Sequence, residues 1–164
     1  LVGVIDGLGH GPAACSAARA AQGYVEGHLD LPLDKIFRGA ESACRATRGV
    51  VMALARFDWG RGRMALASVG NIDVRVFPPS ELFKFSVRRG VVGFHAPEAV
   101  VTEHPWPPGH VLVLHSDGLA THWAWEDFPG LTDLAAPAMA QELLRSLAKD
   151  DDDATVAVVK EVSP

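Results

Sequence analysis

The hydrophobic pattern along the chain changes its period several times, and each change predicts a different element. An apolar run at residues 1–5 predicts a short buried strand. Apolar residues at helical spacing then predict a first helix from Pro12 to Leu29, with the proline in its first turn. A second helix follows and is expected to end at Gly49.

Residues 50–77 have the pattern of consecutive strands. The stretches VVMALARFDW, GRG and RMALASV predict a strand, a tight turn and a second strand, which together form a hairpin. Gly70-Asn71 predicts another turn, and DVRVF then alternates as a half-buried strand does. The rest of the chain predicts two short strands, a buried strand, a helix and a last strand, at residues 81–86, 98–104, 110–116, 137–149 and 154–162.

This order of elements predicts an α+β fold. One strand precedes two helices, several strands follow one another, and a helix and a strand come last. Consecutive strands favour antiparallel pairing, whereas a doubly wound parallel sheet needs alternating strands and helices. We therefore expect a β-sandwich of mainly antiparallel strands flanked by helices, formed by a single domain over residues 1–164.

Composition and charge narrow the class of protein. Hydrophobic residues make up 48 % and charged residues 21 % of the 164 residues, which is ordinary for a folded domain. The net charge of −5 argues against nucleic acid as a partner, because phosphate backbones need clustered cations. No apolar stretch is long enough for a membrane span. Cys15 and Cys44 are expected to be buried in helices of a reduced, cytoplasmic protein.

Acidic residues stand at the ends of three predicted strands. Asp6 precedes Gly7, Asp117 precedes Gly118, and four aspartates at residues 150–153 come directly before the last strand. An Asp-Gly pair after a strand is most often a turn, and an acidic run is most often a solvated loop. Adjacent carboxylates repel one another, however, unless a cation compensates. Oxygen ligands favour Mg²⁺ or Mn²⁺, so turns and an acidic metal site are the two alternatives.

The glycine-rich stretch DGLGHG after the first strand also raises the question of nucleotide binding. Its spacing is G-x-G-x-G rather than G-x-G-x-x-G, and no Gly-Lys-Ser/Thr follows. The region where a dinucleotide fold would place a second parallel strand predicts a helix instead. The stretch therefore favours a strand that delivers Asp6 to a cation over a phosphate cradle.

Four motifs in this order resemble those of the PPM family of metal-dependent serine/threonine phosphatases. They are VIDGLGHGPAA, VGN at residues 69–71, HSDGL at residues 115–119 and DDAT at residues 152–155. Together they span the whole chain and are most similar to the bacterial branch typified by SpoIIE and RsbX. The resemblance implies a β-sandwich flanked by paired helices, in agreement with the predicted order of elements.

The resemblance also implies a binuclear centre of two Mn²⁺ or Mg²⁺ ions. Asp6 would bridge the ions, Gly7 would offer its backbone carbonyl, and Asp117 and Asp152 would complete the ligands of the second ion. Asp153 would be a supporting ligand or would contact one. A water held between the ions would lose a proton and attack the phosphorus of a phosphoserine or phosphothreonine.

Other residues near these motifs keep two interpretations. His10 would protonate the leaving alkoxide, or it is an ordinary loop residue. His115 alternates with apolar neighbours, which favours a core histidine over a ligand. Trp123 and Trp125 would form either a flap that recognises the substrate protein or a hydrophobic anchor for a loop.

The resemblance further implies a substrate and a pathway. The substrate would be a phosphorylated regulatory protein of the STAS type, an anti-sigma antagonist, and an ATP-binding kinase or anti-sigma domain would be fused to the chain or associated with it. Relatives carry a Gly-Asp pair on a strand upstream of the first motif, so we expect that the chain lacks its first strand or belongs to a longer protein. The competing hypotheses are an inactive phosphatase-like binding module and an acidic scaffold without metal.

Overall fold

The computed structural model describes residues 1–150 and 152–161. Within these residues the chain forms three α-helices, namely α1 (Pro12–Glu26), α2 (Leu33–Cys44) and α3 (Ala136–Leu147). It also forms eight strands, namely β1 (Val2–Gly7), β2 (Val50–Asp58), β3 (Arg63–Val69), β4 (Asp73–Phe77), β5 (Val87–Arg88), β6 (Thr102–Pro105), β7 (Val111–His115) and β8 (Val156–Lys160).

The strands form two sheets. The first has the order β1-β2-β3-β5, with β6 also paired to β3, and the second has the order β4-β7-β8. All neighbouring strands are antiparallel except β3 and β5. In the first pair Gly7 lies opposite Val50, so β1 ends where β2 begins.

Three buried clusters give the molecule four layers. Helices α1 and α2 cover the outer face of the first sheet, a second cluster fills the space between the sheets, and α3 covers the outer face of the second sheet. Ile36 and Leu54 lie in the cluster under the helices α1 and α2, and Val4 and Leu112 lie between the sheets. Val113 and Met139 lie in the cluster under α3. The predicted α+β sandwich flanked by helices is confirmed.

The sequence pattern of two elements follows directly from these layers. Helix α2 buries Leu33, Ile36, Phe37 and Ala40, which recur at helical spacing on its inner face. Strand β7 is buried on both faces, because alternate residues face the other sheet and α3. This is why β7 is a continuous apolar run rather than an alternating one.

Several boundaries differ from the prediction. The first helix ends at Glu26 rather than Leu29, since Gly23 and Gly27 weaken its last turns. No strand forms over residues 81–86, and the pairing predicted at residues 98–104 is confined to β6. The phenylalanines at positions 83 and 85 pack instead into an aromatic group around Trp106 and His104.

The two cysteines have different environments. Cys44 is buried, as predicted, and its thiol faces the helix pair. Cys15 is exposed, so the expectation of a buried side chain is wrong at this position. The reason is that α1 buries Ala14, Ala17 and Ala21, and Cys15 is on a different face of the helix. No helix of the described residues is long and apolar enough to cross a membrane.

Candidate active site

The end of β1 brings Asp6 to one end of the sandwich. Side chains alternate along a strand, so Asp6 shares the face of Val4, which is buried between the sheets, whereas Ile5 packs on the helix side. Gly7 lies so close to α1 that a Cβ atom there would be 2.0 Å from the Ala14 carbonyl oxygen. Only glycine fits this approach, which explains the Asp-Gly pair.

The loop after β7 brings Asp117 to the same end of the molecule, since β1 contacts both β7 and β8. Asn71 donates a hydrogen bond from Nδ2 to Oδ2 of Asp117 at 2.8 Å. On the other side, Nζ of Lys149 donates to the backbone carbonyl of Asp117 at 2.6 Å. These contacts hold both the side chain and the backbone of Asp117.

The acidic segment before β8 lies directly against this loop. The Ser116 N–H donates to the Thr155 carbonyl at 3.0 Å, and the Thr155 N–H donates to Oγ of Ser116 at 3.0 Å. A Cβ atom on Gly118 would be 2.2 Å from the Asp153 carbonyl oxygen. Asp152 accepts the Asp153 N–H at 2.9 Å through Oδ1. Gly118 is therefore required for the acidic segment to approach the loop.

The electrostatics of Asp6 show that these acids come together. The pKa of Asp6 is raised from 3.8 to about 6, mainly by burial and then by the charges of Asp117, Asp152 and Asp153. The backbone hydrogen bond from Gly7 lowers this pKa but does not outweigh them. Asp6 and Asp153 also line one open groove. The predicted site residues at three separate positions of the sequence thus share one electrostatic environment.

The donor set of this groove fits a hard divalent cation. Within the described residues no group of three or more His, Cys, Asp and Glu side chains is arranged to hold a metal ion, and Asp151 lies outside those residues. Carboxylates that lie this near to one another repel, and the charges of Asp117, Asp152 and Asp153 act on Asp6 in this way. Carboxylate and backbone carbonyl oxygens are the ligands that Mg²⁺ and Mn²⁺ prefer, and a cation would relieve the repulsion that raises the pKa of Asp6.

A buried polar cluster supports the start of the Asp117 loop. His115 is fully buried, and its Nε2 lies 3.2 Å from Oδ2 of Asp73 and 3.3 Å from Nε1 of Trp123. Burial raises the pKa of Asp73, but hydrogen bonds from His115 and Arg75 outweigh it and hold that pKa below its ordinary value. This arrangement confirms the interpretation of His115 as a core histidine.

The tryptophans anchor the segment after Asp117. Arg75 donates to the carbonyls of Thr121 and Trp123 at 2.5 Å each, and its guanidinium lies 4.3 Å from the centre of the Trp123 ring. Trp123 is buried and packs edge-on against Trp125. These contacts favour the interpretation of the two tryptophans as a hydrophobic anchor for the loop over a flap that recognises the substrate. His10 is exposed and is not among the residues that line the groove, so its role as an acid stays a prediction.

Sequence reasoning assigned no role at the site to Asn71 and Lys149. The local pattern at Gly70-Asn71 predicts only a turn, although the VGN motif includes Asn71. Lys149 has no comparable signal, because its contact depends on how the end of α3 meets the Asp117 loop.

The fold is that of PPM-type phosphatases. Residues 1–161 match the family model described as SpoIIE, stage II sporulation protein E, and the chain therefore belongs to the SpoIIE family. This confirms the predicted class of enzyme and its SpoIIE/RsbX-like branch. No curated protein matches the chain.

Solved structures of similar proteins share the fold. One chain, from a structure described as "The bacterial stressosome: a modular system that has been adapted to control secondary messenger signaling", is 29 % identical over 95 % of this chain and 82 % of that one, with a TM-score of 0.86. RsbX in complex with magnesium is 20 % identical over 95 % and 78 %, with a TM-score of 0.78. The catalytic domain of the phosphatase PstP with 2 manganese ions is 18 % identical over 95 % and 85 %, with a TM-score of 0.73.

Proposed function

We propose that the chain is a metal-dependent protein phosphatase that hydrolyses phosphoserine or phosphothreonine in a regulatory protein. The observation that carries the proposal is the meeting of Asp6 with Asp117, Asp152 and Asp153 at one end of the sandwich, where their charges add to the effect of burial on the pKa of Asp6. Membership in the SpoIIE family is the second line of support.

The proposed centre holds two Mn²⁺ or Mg²⁺ ions. The protein oxygens that would hold them come from Asp6, the Gly7 carbonyl, Asp117, Asp152 and Asp153. Bound there, divalent cations supply Lewis acidity that lowers the pKa of water and stabilises charge on phosphoryl oxygens. The magnesium complex of RsbX and the manganese complex of PstP, which share the fold, support metal dependence.

The other residues of the site hold these oxygens in place. The amide of Asn71 orients the Asp117 carboxylate through Oδ2, while Lys149 holds the Asp117 backbone. Ser116 ties the acidic segment to the same loop through its hydrogen bonds with Thr155. His10, in the loop after Asp6, is the proposed donor of a proton to the leaving alkoxide.

The proposed substrate is a phosphorylated regulatory protein of the STAS type in a cytoplasmic partner-switching pathway. A kinase or anti-sigma domain would be fused to the chain or associated with it. Similarity to a chain of the stressosome structure supports a regulatory setting of this kind.

Hydrolysis of p-nitrophenyl phosphate tests the proposed chemistry. The protein should turn over this ester with Mn²⁺ and lose activity in EDTA, and Asp6→Asn and Asp117→Asn should each abolish turnover by removing a charge from the centre. Asp133→Asn, at an exposed position outside the site, is the matched control. Full activity in either site variant would contradict the proposal, and thermal stabilisation by Mn²⁺ without turnover would favour the binding module.

A further inference from the structure

The end of the sandwich that holds the acidic groove also carries exposed arginines and exposed apolar side chains. Arg48, Arg88 and Arg89 are exposed, and none forms an ion pair with a carboxylate of the described residues. Leu8 and Phe94 are 47 % and 59 % exposed. Five of the other eight arginines form ion pairs with carboxylates, namely Arg38, Arg61, Arg63, Arg75 and Arg145. Among the described residues without such a pair, these three are the arginines on the loops next to the Asp6 and Asn71 turns.

Arg48 lies beside the loop that follows Asp6. The Leu8 N–H donates to the Gly49 carbonyl at 3.0 Å, which ties this loop to the turn that carries Arg48. A Cβ atom on Gly9 would be 2.9 Å from Nη1 of Arg48. Because Gly9 lines the same groove as Asp6, the guanidinium of Arg48 lies at the rim of that groove.

The segment with Arg88 and Arg89 runs along the same end of the sandwich. Val50 and Val92 exchange two backbone hydrogen bonds of 2.9 and 2.8 Å, so this segment lies next to the start of β2. The Gly70 N–H donates to the Arg88 carbonyl at 2.8 Å, directly before the residue that binds Asp117. The backbone of Arg88 therefore lies next to the turn that carries Asn71, whereas Arg48 lies beside the loop after Asp6.

An exposed aromatic ring lies near Arg48. Cδ2 of Phe94 would be 3.0 Å from a Cβ atom on Gly49, so the ring covers the turn that carries the arginine. Arginine and aromatic side chains are enriched at protein interfaces, where guanidinium groups pair with two carboxylate or phosphate oxygens at once. An acidic groove without such cations would repel a phosphorylated, acidic segment.

We propose that Arg48, Arg88 and Arg89, together with Leu8 and Phe94, recognise an acidic segment that flanks the phosphorylated residue of the partner protein. This inference rests on the proposed phosphatase function and names the chemistry of its substrate. The arginines attract the acidic segment electrostatically. The two apolar side chains become buried against it, which removes apolar surface from water.

The test uses two phosphoserine peptides of equal length, one flanked by glutamates and one by glycine and serine. The wild-type protein with Mn²⁺ should show a kcat/KM about tenfold higher for the glutamate peptide at low salt, and the preference should shrink as salt screens it. Arg48→Glu and the double variant Arg88→Glu/Arg89→Glu should lose or reverse the preference. The ratio of the two peptides is taken within each variant, so a change in the folded fraction cancels.

The matched control is Arg61→Glu. Arg61 is 82 % exposed in its side chain and lies in the turn after β2, whose opposite end is next to Asp6. The same charge reversal there should leave the preference unchanged. Equal kcat/KM for both peptides in the wild type, or a full preference in the Arg→Glu variants, overturns the inference.

Binding measured by fluorescence anisotropy separates this inference from the proposed function. The labelled glutamate peptide should bind the wild type about tenfold more tightly than the neutral peptide, and this difference should disappear in the Arg→Glu variants. A wild type that binds selectively but fails to hydrolyse p-nitrophenyl phosphate contradicts only the phosphatase function. A wild type that hydrolyses the ester but binds both peptides equally contradicts only the recognition surface.

Discussion

Asn71 and Asp117 are joined by a hydrogen bond of 2.8 Å between two loops, with Nδ2 as donor and Oδ2 as acceptor. The turn before Asn71 makes this contact possible. Gly70 has a φ of +107°, and a Cβ atom there would be 2.3 Å from the Val51 side chain, so both the backbone conformation and the space require glycine. The amide thus orients a carboxylate of the candidate metal centre.

Asn71→Ala should weaken metal binding. Removing a group that orients a ligand typically lowers metal affinity by about 10- to 100-fold, so the Mn²⁺ concentration for half-maximal hydrolysis of p-nitrophenyl phosphate should rise by about tenfold or more. Gln22→Ala removes an exposed amide on α1 that binds Glu26 and should leave the Mn²⁺ titration unchanged. An unchanged titration in Asn71→Ala would show that Asp117 needs no such support.

Gly118→Ala should displace the acidic segment. A Cβ atom there would meet the Asp153 carbonyl oxygen at 2.2 Å, and backbone can relieve this clash only by moving apart. We expect lower unfolding temperature and loss of Mn²⁺-dependent stabilisation, both measured by differential scanning fluorimetry. Gly23→Ala is the control, since its Cβ meets nothing within 4 Å and alanine favours the helix, so its unfolding temperature should be equal or higher.

Asp6 should make the metal-free protein less stable as pH rises. Its pKa in the folded protein, about 6, is above the ordinary 3.8, so the folded state binds the proton more tightly than the unfolded state does. The resulting stabilisation is fully present below about pH 4 and is lost as pH rises through about 6. Urea unfolding in EDTA should therefore show Asp6→Asn gaining stability relative to wild type over this range. A constant difference between the two proteins across it would contradict the prediction.

Arg75→Met should destabilise the segment after Asp117. The substitution removes a partly buried cation that pairs with Asp73 at 2.8 Å and binds two backbone carbonyls. The Asp73 carboxylate then keeps its contacts with His115 and the Val74 N–H but has lost its cation. We expect a loss of about 2 kcal/mol in the free energy of unfolding, measured in urea. The fluorescence of Trp123, which stacks on Arg75, should change as well. Arg145→Met removes an exposed ion pair on α3 and should leave the stability unchanged.

Periodicity was a reliable guide to the long elements and a poor one to the short pairings. Helix α2 is recognisable because its apolar residues repeat at helical spacing on one face, and β7 is recognisable because it is a continuous apolar run buried on both faces. Strands β5 and β6 have two and four residues, and both pair with β3. Their positions depend on a distant partner. The local pattern therefore predicted a strand at residues 81–86, before β5, and a longer strand at residues 98–104 where β6 forms.

The sequence by itself determined which acids stand at strand ends, because a buried apolar run followed by Asp-Gly is a local signal. It also determined the family, because the four motifs occur along the chain in the order that is typical of the PPM family. Only the tertiary structure decided that Asp6 and Asp117 meet, since β1 and β7 belong to different sheets that bring these ends together only when they pack face to face. The same packing decided the partners of Asn71 and Lys149 and the position of Arg48 beside Gly9, because contacts between loops depend on the distances between whole layers.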